Sequence, residues 1–252
     1  MELNGAAALV TGAGSGLGAA TAYALAAAGA RVVALDIDAA GLAALAGRSG
    51  AVPVVGDVAS EADVAGAVAT AASLGPLRLA VNCAGIAPAA RVVGRGGPHD
   101  LALFERTLRV NLLGTFNVLR LAAARMQAEA ATAPDNERGV IVNTASIAAE
   151  DGQVGQCAYA ASKAGVVGLT LPAARELARS GIRVVTIAPG LFETPMLAGL
   201  PEAAQAALRS LPPFPARLGR PEEFARLVLA ICANPLLNGT TLRFDSALRL
   251  PP

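Results

Sequence analysis

Seven short apolar runs, separated by alanine-rich stretches, constrain the fold of this chain more than any other feature. They are Ala7–Thr11, Arg31–Asp36, Val52–Val55, Leu77–Asn82, Gly139–Asn143, Ile182–Ile187 and Thr240–Asp245. Their length and β-branched content suit strands, and the stretches between them suit helices. Repetition of strand, helix and strand implies parallel pairing through right-handed crossovers. Strands that are apolar almost throughout imply a sheet covered on both faces. No internal repeat or long linker interrupts the pattern, and the polar stretch Ala133 to Arg138 is expected to be a loop.

The turn after the first run, Thr11-Gly-Ala-Gly-Ser-Gly-Leu-Gly18, leads into an alanine-rich helix. Glycines there permit a tight turn and close backbone approach, and the helix N-terminus offers free N–H groups to a pyrophosphate. A glycine run alone is weak evidence. Between a strand and a helix, with Asp36 ending the next strand, it becomes a dinucleotide site. A carboxylate there accepts hydrogen bonds from the adenosine ribose hydroxyls and repels a 2′-phosphate, which favours NAD over NADP. Neither Ser15 nor Ile37 supplies the cation a 2′-phosphate would want. The competing reading of Asp36 is a plain strand-end or turn residue. Asp57 and Val58, after the third run, are placed at the adenine edge, with an Asp turn as the alternative for Asp57. The expected architecture is one α/β domain over residues 1–252, a Rossmann-type, doubly wound sheet of about seven parallel strands with helices on both faces.

Composition narrows the function classes. Lys+Arg 20 against Asp+Glu 19 gives a net charge of +1, which makes no electrostatic case for nucleic acid. The longest uncharged stretch, Leu3 to Ala30, contains six glycines and reads as strand, turn and helix, not as a membrane span. Glu2 leaves no basic n-region, so no secretory signal is expected. Cys83, Cys157 and Cys232 are widely spaced, and His99 is the single histidine. Neither a disulfide framework nor a metal site is expected, and a reducing intracellular setting is. Cys157 falls close to Tyr159, but packing is the simpler reading of it.

The chain has one lysine, Lys163, four residues after Tyr159, with Ser146 thirteen residues before that tyrosine. On a helix, i and i+4 share a face, so phenol and ammonium can address one small volume. A free tyrosine titrates near pH ~10, so acid/base work at neutral pH needs a shift of about three units, roughly 4 kcal/mol. An exposed ion pair supplies about 0–1 kcal/mol. The expectation is therefore a partly desolvated pocket in which Lys163 draws the phenol down. Taken alone, the pair reads equally well as an incidental surface contact.

Together these features resemble the short-chain dehydrogenase/reductase family over essentially the whole chain. The family's glycine signature corresponds to Gly12, Gly16 and Gly18. Its Asn-Asn-Ala-Gly motif appears as Asn82-Cys-Ala-Gly85, with Cys83 in place of the second asparagine. The resemblance implies a catalytic tetrad of Asn111, Ser146, Tyr159 and Lys163, with Asn111 holding a water that links Lys163 to solvent. It implies that Pro189, Gly190 and Thr194 fix the nicotinamide. It also implies nucleotide contacts from Ser15, Leu17, Asp36, Asp57, Val58, Asn82, Cys83, Gly85, Tyr159, Lys163, Phe192 and Thr194.

Within the family, Val140–Ser146, Gly152–Gln156, Thr186–Phe192, Pro213–Gly219 and Asn234–Gly239 resemble the branch of short-chain L-3-hydroxyacyl-CoA dehydrogenases, also called type 10 17β-hydroxysteroid dehydrogenases. That implies an NAD-dependent enzyme oxidising (S)-3-hydroxyacyl-CoA to 3-oxoacyl-CoA, and a homotetramer. Steroids or other secondary alcohols are the alternative substrates, reduction of a 3-oxoacyl carrier protein is a more distant one, and a non-catalytic nucleotide-binding scaffold is the alternative of another class. The substrate is expected between Ser146 and Tyr159, with Gln153 and Gln156 near its carbonyl or, alternatively, on the surface. Leu211–Pro215 is expected beside the substrate. Arg217 and Arg220 are read either as contacts to CoA phosphates or as solvated side chains. The loop from Ala87 to Asp100, with Arg91, Arg95 and His99, departs from the branch. The arginine-, alanine- and glycine-rich composition favours a bacterial, cytoplasmic protein, with neither membrane nor nucleic acid as partner.

Overall fold

The computed structural model describes residues 1–132, 134–199 and 202–251. Its strands are β1 Ala7–Thr11, β2 Arg31–Asp36, β3 Val52–Val55, β4 Leu77–Asn82, β5 Val93–Gly94, β6 Gly97–Pro98, β7 Gly139–Thr144, β8 Ile182–Pro189 and β9 Thr241–Phe244. Its helices are α1 Gly16–Ala27, α2 Ala39–Ser49, α3 Glu61–Leu74, α4 Leu101–Leu108, α5 Gly114–Gln127, α6 Cys157–Leu177, α7 Pro195–Ala198, α8 Glu202–Arg209 and α9 Pro221–Ala233. The main sheet runs β3-β2-β1-β4-β7-β8-β9, parallel throughout.

Alternation along each strand builds two cores. Ala8 and Val10 of β1, Val81 of β4 and Ile187 of β8 pack with Leu25, Leu42, Phe224 and Val228 from α1, α2 and α9. Leu9, Ala80 and Val184 face the other way, onto Val64, Val118 and Met126 from α3 and α5 and Ala174 from α6. Each fully buried Leu, Val or Phe contributes about 2 kcal/mol against exposure, so both layers are needed to hold the sheet. The chain winds one way from β1 to β3 and then returns to place β4 on the other side of β1. That reversal opens a crevice at the carboxyl ends of β1 and β4.

The strand expectations hold with small changes. β7 and β8 run further than their apolar runs, because Thr144 pairs with Ile187 and Pro189 with Phe244. β9 is shorter than Thr240–Asp245. The β5–β6 hairpin, antiparallel through Val93↔Pro98, was not expected from its glycine-rich sequence. In the stretch read as a loop, Thr132 bridges Glu137, and position 133 lies outside the described residues.

Candidate active site

A cleft of about 970 Å³ opens over the carboxyl ends of the strands, from the β1–α1 turn to the start of α6. The glycine turn forms its outer end. Gly12 has φ +63°, and a Cβ there would stand 2.6 Å from the Ala84 nitrogen, so only glycine lets the turn lie against the segment after β4. A Cβ on Gly18 would be 2.0 Å from the Gly12 carbonyl oxygen. Thr11 Oγ1 completes the seam, accepting from the Cys83 and Ala84 amides at 3.2 and 3.3 Å.

Side chains cap α2, α3 and α4, where Asp38, Ser60 and Asp100 accept backbone hydrogen bonds. Ser15 at the start of α1 makes no such bond, so the N–H groups of the first turn face the cleft without a side-chain cap. Asp36 lines the cleft beside this turn, with Oδ2 accepting from Gly14 N at 2.8 Å and Oδ1 from Asp38 N at 2.9 Å. An uncapped helix end, a glycine cradle and a fixed carboxylate fit the pyrophosphate and ribose of a dinucleotide.

Ser15, Gly16, Leu17 and Gly18 line the cleft, as do Asp57 and Val58. Asp57 also forms the Asp turn weighed as its alternative, with Oδ1 accepting from Ala59 N at 2.8 Å. Cys83, Gly85, Pro189, Gly190, Phe192 and Thr194 line it too. Asn82 is not among the residues that line the cleft. Parallel register sets Asn82 opposite Asn143, and its amide donates to Asn143 Oδ1 at 2.9 Å, which buries it between β4 and β7 away from the cleft.

At the inner end, Ser146, Tyr159, Lys163 and Gln153 line one wall. Ser146 caps a single 3-10 turn, Ile147–Ala149, its Oγ accepting from Ala148 N at 3.1 Å, which leaves its hydrogen to donate outward. Tyr159 and Lys163 lie in the first two turns of α6. Lys163 is 4% exposed, and its ammonium donates to the Thr144 carbonyl at 2.8 Å and stands 5.8 Å from the Tyr159 ring centre.

Burial dominates both groups. It lowers Lys163 to about 8, with Cys83 opposing the shift. It raises Tyr159 above its ordinary value, and the group pulling the phenol down is Ser146, through a hydrogen bond. In the folded protein the ammonium is turned to the Thr144 carbonyl and is itself desolvated, while the hydrogen bond that lowers the phenol comes from Ser146. Burial also lifts the Cys83 thiol to about 11, despite a hydrogen bond from Thr144 Oγ1, so it stays protonated.

Asn111 does not reach the cleft. It sits fully buried in a π-helical turn, Arg109–Leu113, between α4 and α5. Its amide donates to the Ile86 carbonyl and to Ser162 Oγ, both at 2.9 Å, and its Oδ1 accepts from Ile86 N at 2.8 Å. Ser162 donates in turn to the Tyr159 carbonyl at 2.7 Å, so Asn111 ties the segment after β4 to the first turns of α6.

Arg217 is held by Glu223 through two bonds, at 2.8 and 2.7 Å, and neither Arg217 nor Arg220 lines the cleft. The segment Leu211–Pro215 also stays outside it, with Phe214 84% exposed. Gln156 does line it, and so do Leu208 and Leu250, which no sequence motif marks. Only a C-terminal segment returning to the cleft reveals Leu250, and no local pattern signals that return.

A cleft joining an uncapped helix end to a Ser, Tyr and Lys constellation is the architecture of a nicotinamide-dependent dehydrogenase. The sequence profile described as short chain dehydrogenase matches residues 6–205, and the chain belongs to that family. It is 52% identical to the 3-hydroxyacyl-CoA dehydrogenase type-2 of Drosophila melanogaster, over 99% of this chain and 100% of that one. It is also 52% identical to the Homo sapiens protein of the same name, over 100% and 98%. The crystal structure of 3-hydroxyacyl-CoA dehydrogenase type-2 from Mycobacterium avium superposes with a TM-score of 0.94 at 46% identity, covering 98% of this chain and 97% of that one.

Proposed function

We propose that the protein oxidises (S)-3-hydroxyacyl-CoA esters to 3-oxoacyl-CoA with NAD. The observation that carries this reading is the convergence of Ser146, Tyr159 and Lys163 at the inner end of a cleft whose outer end fits a dinucleotide. The substrate class follows from half-identity, over full length, to proteins named 3-hydroxyacyl-CoA dehydrogenase type-2. NAD rather than NADP follows from Asp36, whose carboxylate is fixed beside the glycine turn where a 2′-phosphate would meet like charge.

A nicotinamide dinucleotide supplies the hydride acceptor. Ser146 donates to the substrate hydroxyl oxygen and orients it. Tyr159 takes the hydroxyl proton while the carbon-bound hydrogen departs as hydride. Lys163, one helical turn away, stabilises the phenolate as it forms. Asn111 holds the α6 turn through Ser162 and keeps one Oδ1 lone pair for the water that connects Lys163 to solvent. The lining of the cleft by Gln153 supports a role for it at the thioester carbonyl.

We infer a homotetramer, supported by the exposed Leu113, Phe116 and Leu171 on the π-helical turn, α5 and α6. Cytoplasmic residence is supported by three free cysteines. Among the described residues no helix is long and apolar enough to cross a membrane. The test is NADH formation from NAD and (S)-3-hydroxybutyryl-CoA, with NADP and a secondary-alcohol steroid run in parallel. Efficient turnover of the ester with NAD is expected. Turnover of the steroid alone would replace the acyl-CoA reading with the alcohol one, and no turnover with either would favour a nucleotide-binding scaffold.

A further inference from the structure

Beyond β9 the chain turns back over the inner end of the cleft. Ser246 and Ala247 both adopt left-handed backbone, φ 57° and 61°, although neither is glycine. Asp245 holds that turn, its Oδ1 accepting from Ala247 N at 3.1 Å and its carbonyl from Leu248 N at 3.0 Å. Leu248 is then buried, and Leu250 enters the cleft.

Arg243, on β9, fastens this return to the loop that follows Ser146. Its Nη2 donates to Asp151 Oδ2 at 2.8 Å and to the Leu248 carbonyl at 3.1 Å, its Nε donates to Asp245 Oδ2 at 2.9 Å, and its Nη1 meets Glu150. Asp151 also accepts from the Leu250 amide at 3.3 Å, and Gln153 donates to the Pro251 carbonyl at 3.3 Å. One guanidinium therefore fixes Leu250 relative to the segment that carries Ser146. Leu197 of α7 and Leu208 of α8 line the same cleft.

We infer that Leu250 is a specificity-determining residue that limits the acyl length the cleft accepts, and that Arg243 is its positioning residue. The inference rests on the acyl-CoA reading for the identity of the chain being measured. Leucine side chains lining one cleft are a hydrophobic ruler, in which one methylene changes discrimination by about tenfold or more. A chain that reaches Leu250 must displace it or stop.

The experiment measures kcat/KM for (S)-3-hydroxyacyl-CoA esters from C4 to C12, and for 2-alkanols over the same lengths, in wild type, Leu250→Ala, Leu250→Phe and Arg243→Gln. Leu250→Ala should raise the ratio of the longest to the shortest substrate about tenfold, and Leu250→Phe should lower it by a similar factor. Arg243→Gln should shift selectivity as Leu250→Ala does, and the double variant should shift it no further. A purely structural role for Arg243 would instead lower stability and leave the length ratio alone. An unchanged length profile in both Leu250 variants overturns the inference even if Arg243→Gln fails to fold. If only the alkanols react, the acyl-CoA reading falls and the ruler is read from the alkanol series. Turnover in neither series removes both.

Discussion

The outer and inner ends of the cleft are built by different means. The outer end is backbone: Gly12 brings the β1–α1 turn against the Ala84 segment, Gly18 lets α1 start against the Gly12 carbonyl, and Asp36 adds one carboxylate. The inner end is side chains gathered from distant places, with Ser146 after β7, Tyr159 and Lys163 on α6, Asn111 behind them in a π-helical turn, and Leu250 returning from beyond β9. A backbone cradle is specified by a contiguous stretch of sequence. A side-chain constellation is specified only once the fold has closed.

If that division is right, Tyr159→Phe breaks the inner end and spares the outer. It should lower kcat by about a thousandfold, within the range for loss of a positioned acid/base group, with the KM for NAD changed less than twofold. Steady-state kinetics with cofactor and substrate varied separately gives both numbers. A matching loss of NAD affinity would show that the two ends are one unit.

Lys163 tests the electrostatics of the inner end alone. Its folded value near 8 lies below its ordinary 10.5, so between those values the unfolded chain binds more protons than the folded one. Stability attributable to Lys163 must then rise with pH across that window, and the burial cost is fully present below pH 8. Relative to Lys163→Met, the wild type should gain up to about 3 kcal/mol between the two limits, read by denaturant unfolding at each pH. A difference that is flat or falls with pH would mean the ammonium is not desolvated in the folded protein.

Asp36→Ala addresses the outer end. The ratio of kcat/KM for NAD over NADP should fall by about tenfold or more, because the carboxylate that repels a 2′-phosphate is gone. An unchanged ratio would move cofactor choice elsewhere in the cleft.

The same division explains what could be read without coordinates. Apolar runs gave every strand of the main sheet to within two residues, because a strand buried on both faces leaves a local mark. Gly18 and Asp36 were equally legible, since each serves a neighbour in its own βαβ unit, Gly12 in one case and Gly14 in the other. The Asn82–Asn143 pair was not legible, because the partner is chosen by strand register rather than by local sequence. Arg217 and Arg220 looked available to a phosphate, but helix α9 supplies Glu223 to take the first, and neither reaches the cleft. The Arg243 network was invisible, because its ligands Glu150, Asp151 and Leu248 converge only after β9 has paired with β8.

The Arg217–Glu223 pair gives the smallest expected effect and tests whether support outside the cleft matters to either end. It braces Leu218 and Gly219, and a Cβ on Gly219 would be 2.6 Å from the Phe192 ring, so this segment backs one wall of the cleft. The Arg217 hydrogen bonds, followed by that from Arg220 N, lower Glu223 to about 2, beneath its ordinary carboxylate value. The folded carboxylate thus releases its proton more readily than the unfolded one. Its stabilisation is complete above pH ~4.3 and is lost as pH falls through about 2. With the guanidinium 37% exposed, solvent screening holds the gain below about 1 kcal/mol. Glu223→Gln should therefore cost less than about 1 kcal/mol at pH 7, with the difference shrinking toward pH 2, while kcat and the KM for NAD stay within twofold. A larger change in the KM for NAD at unchanged stability would mean that this brace sets the position of Phe192, and that the outer end is not made by backbone alone.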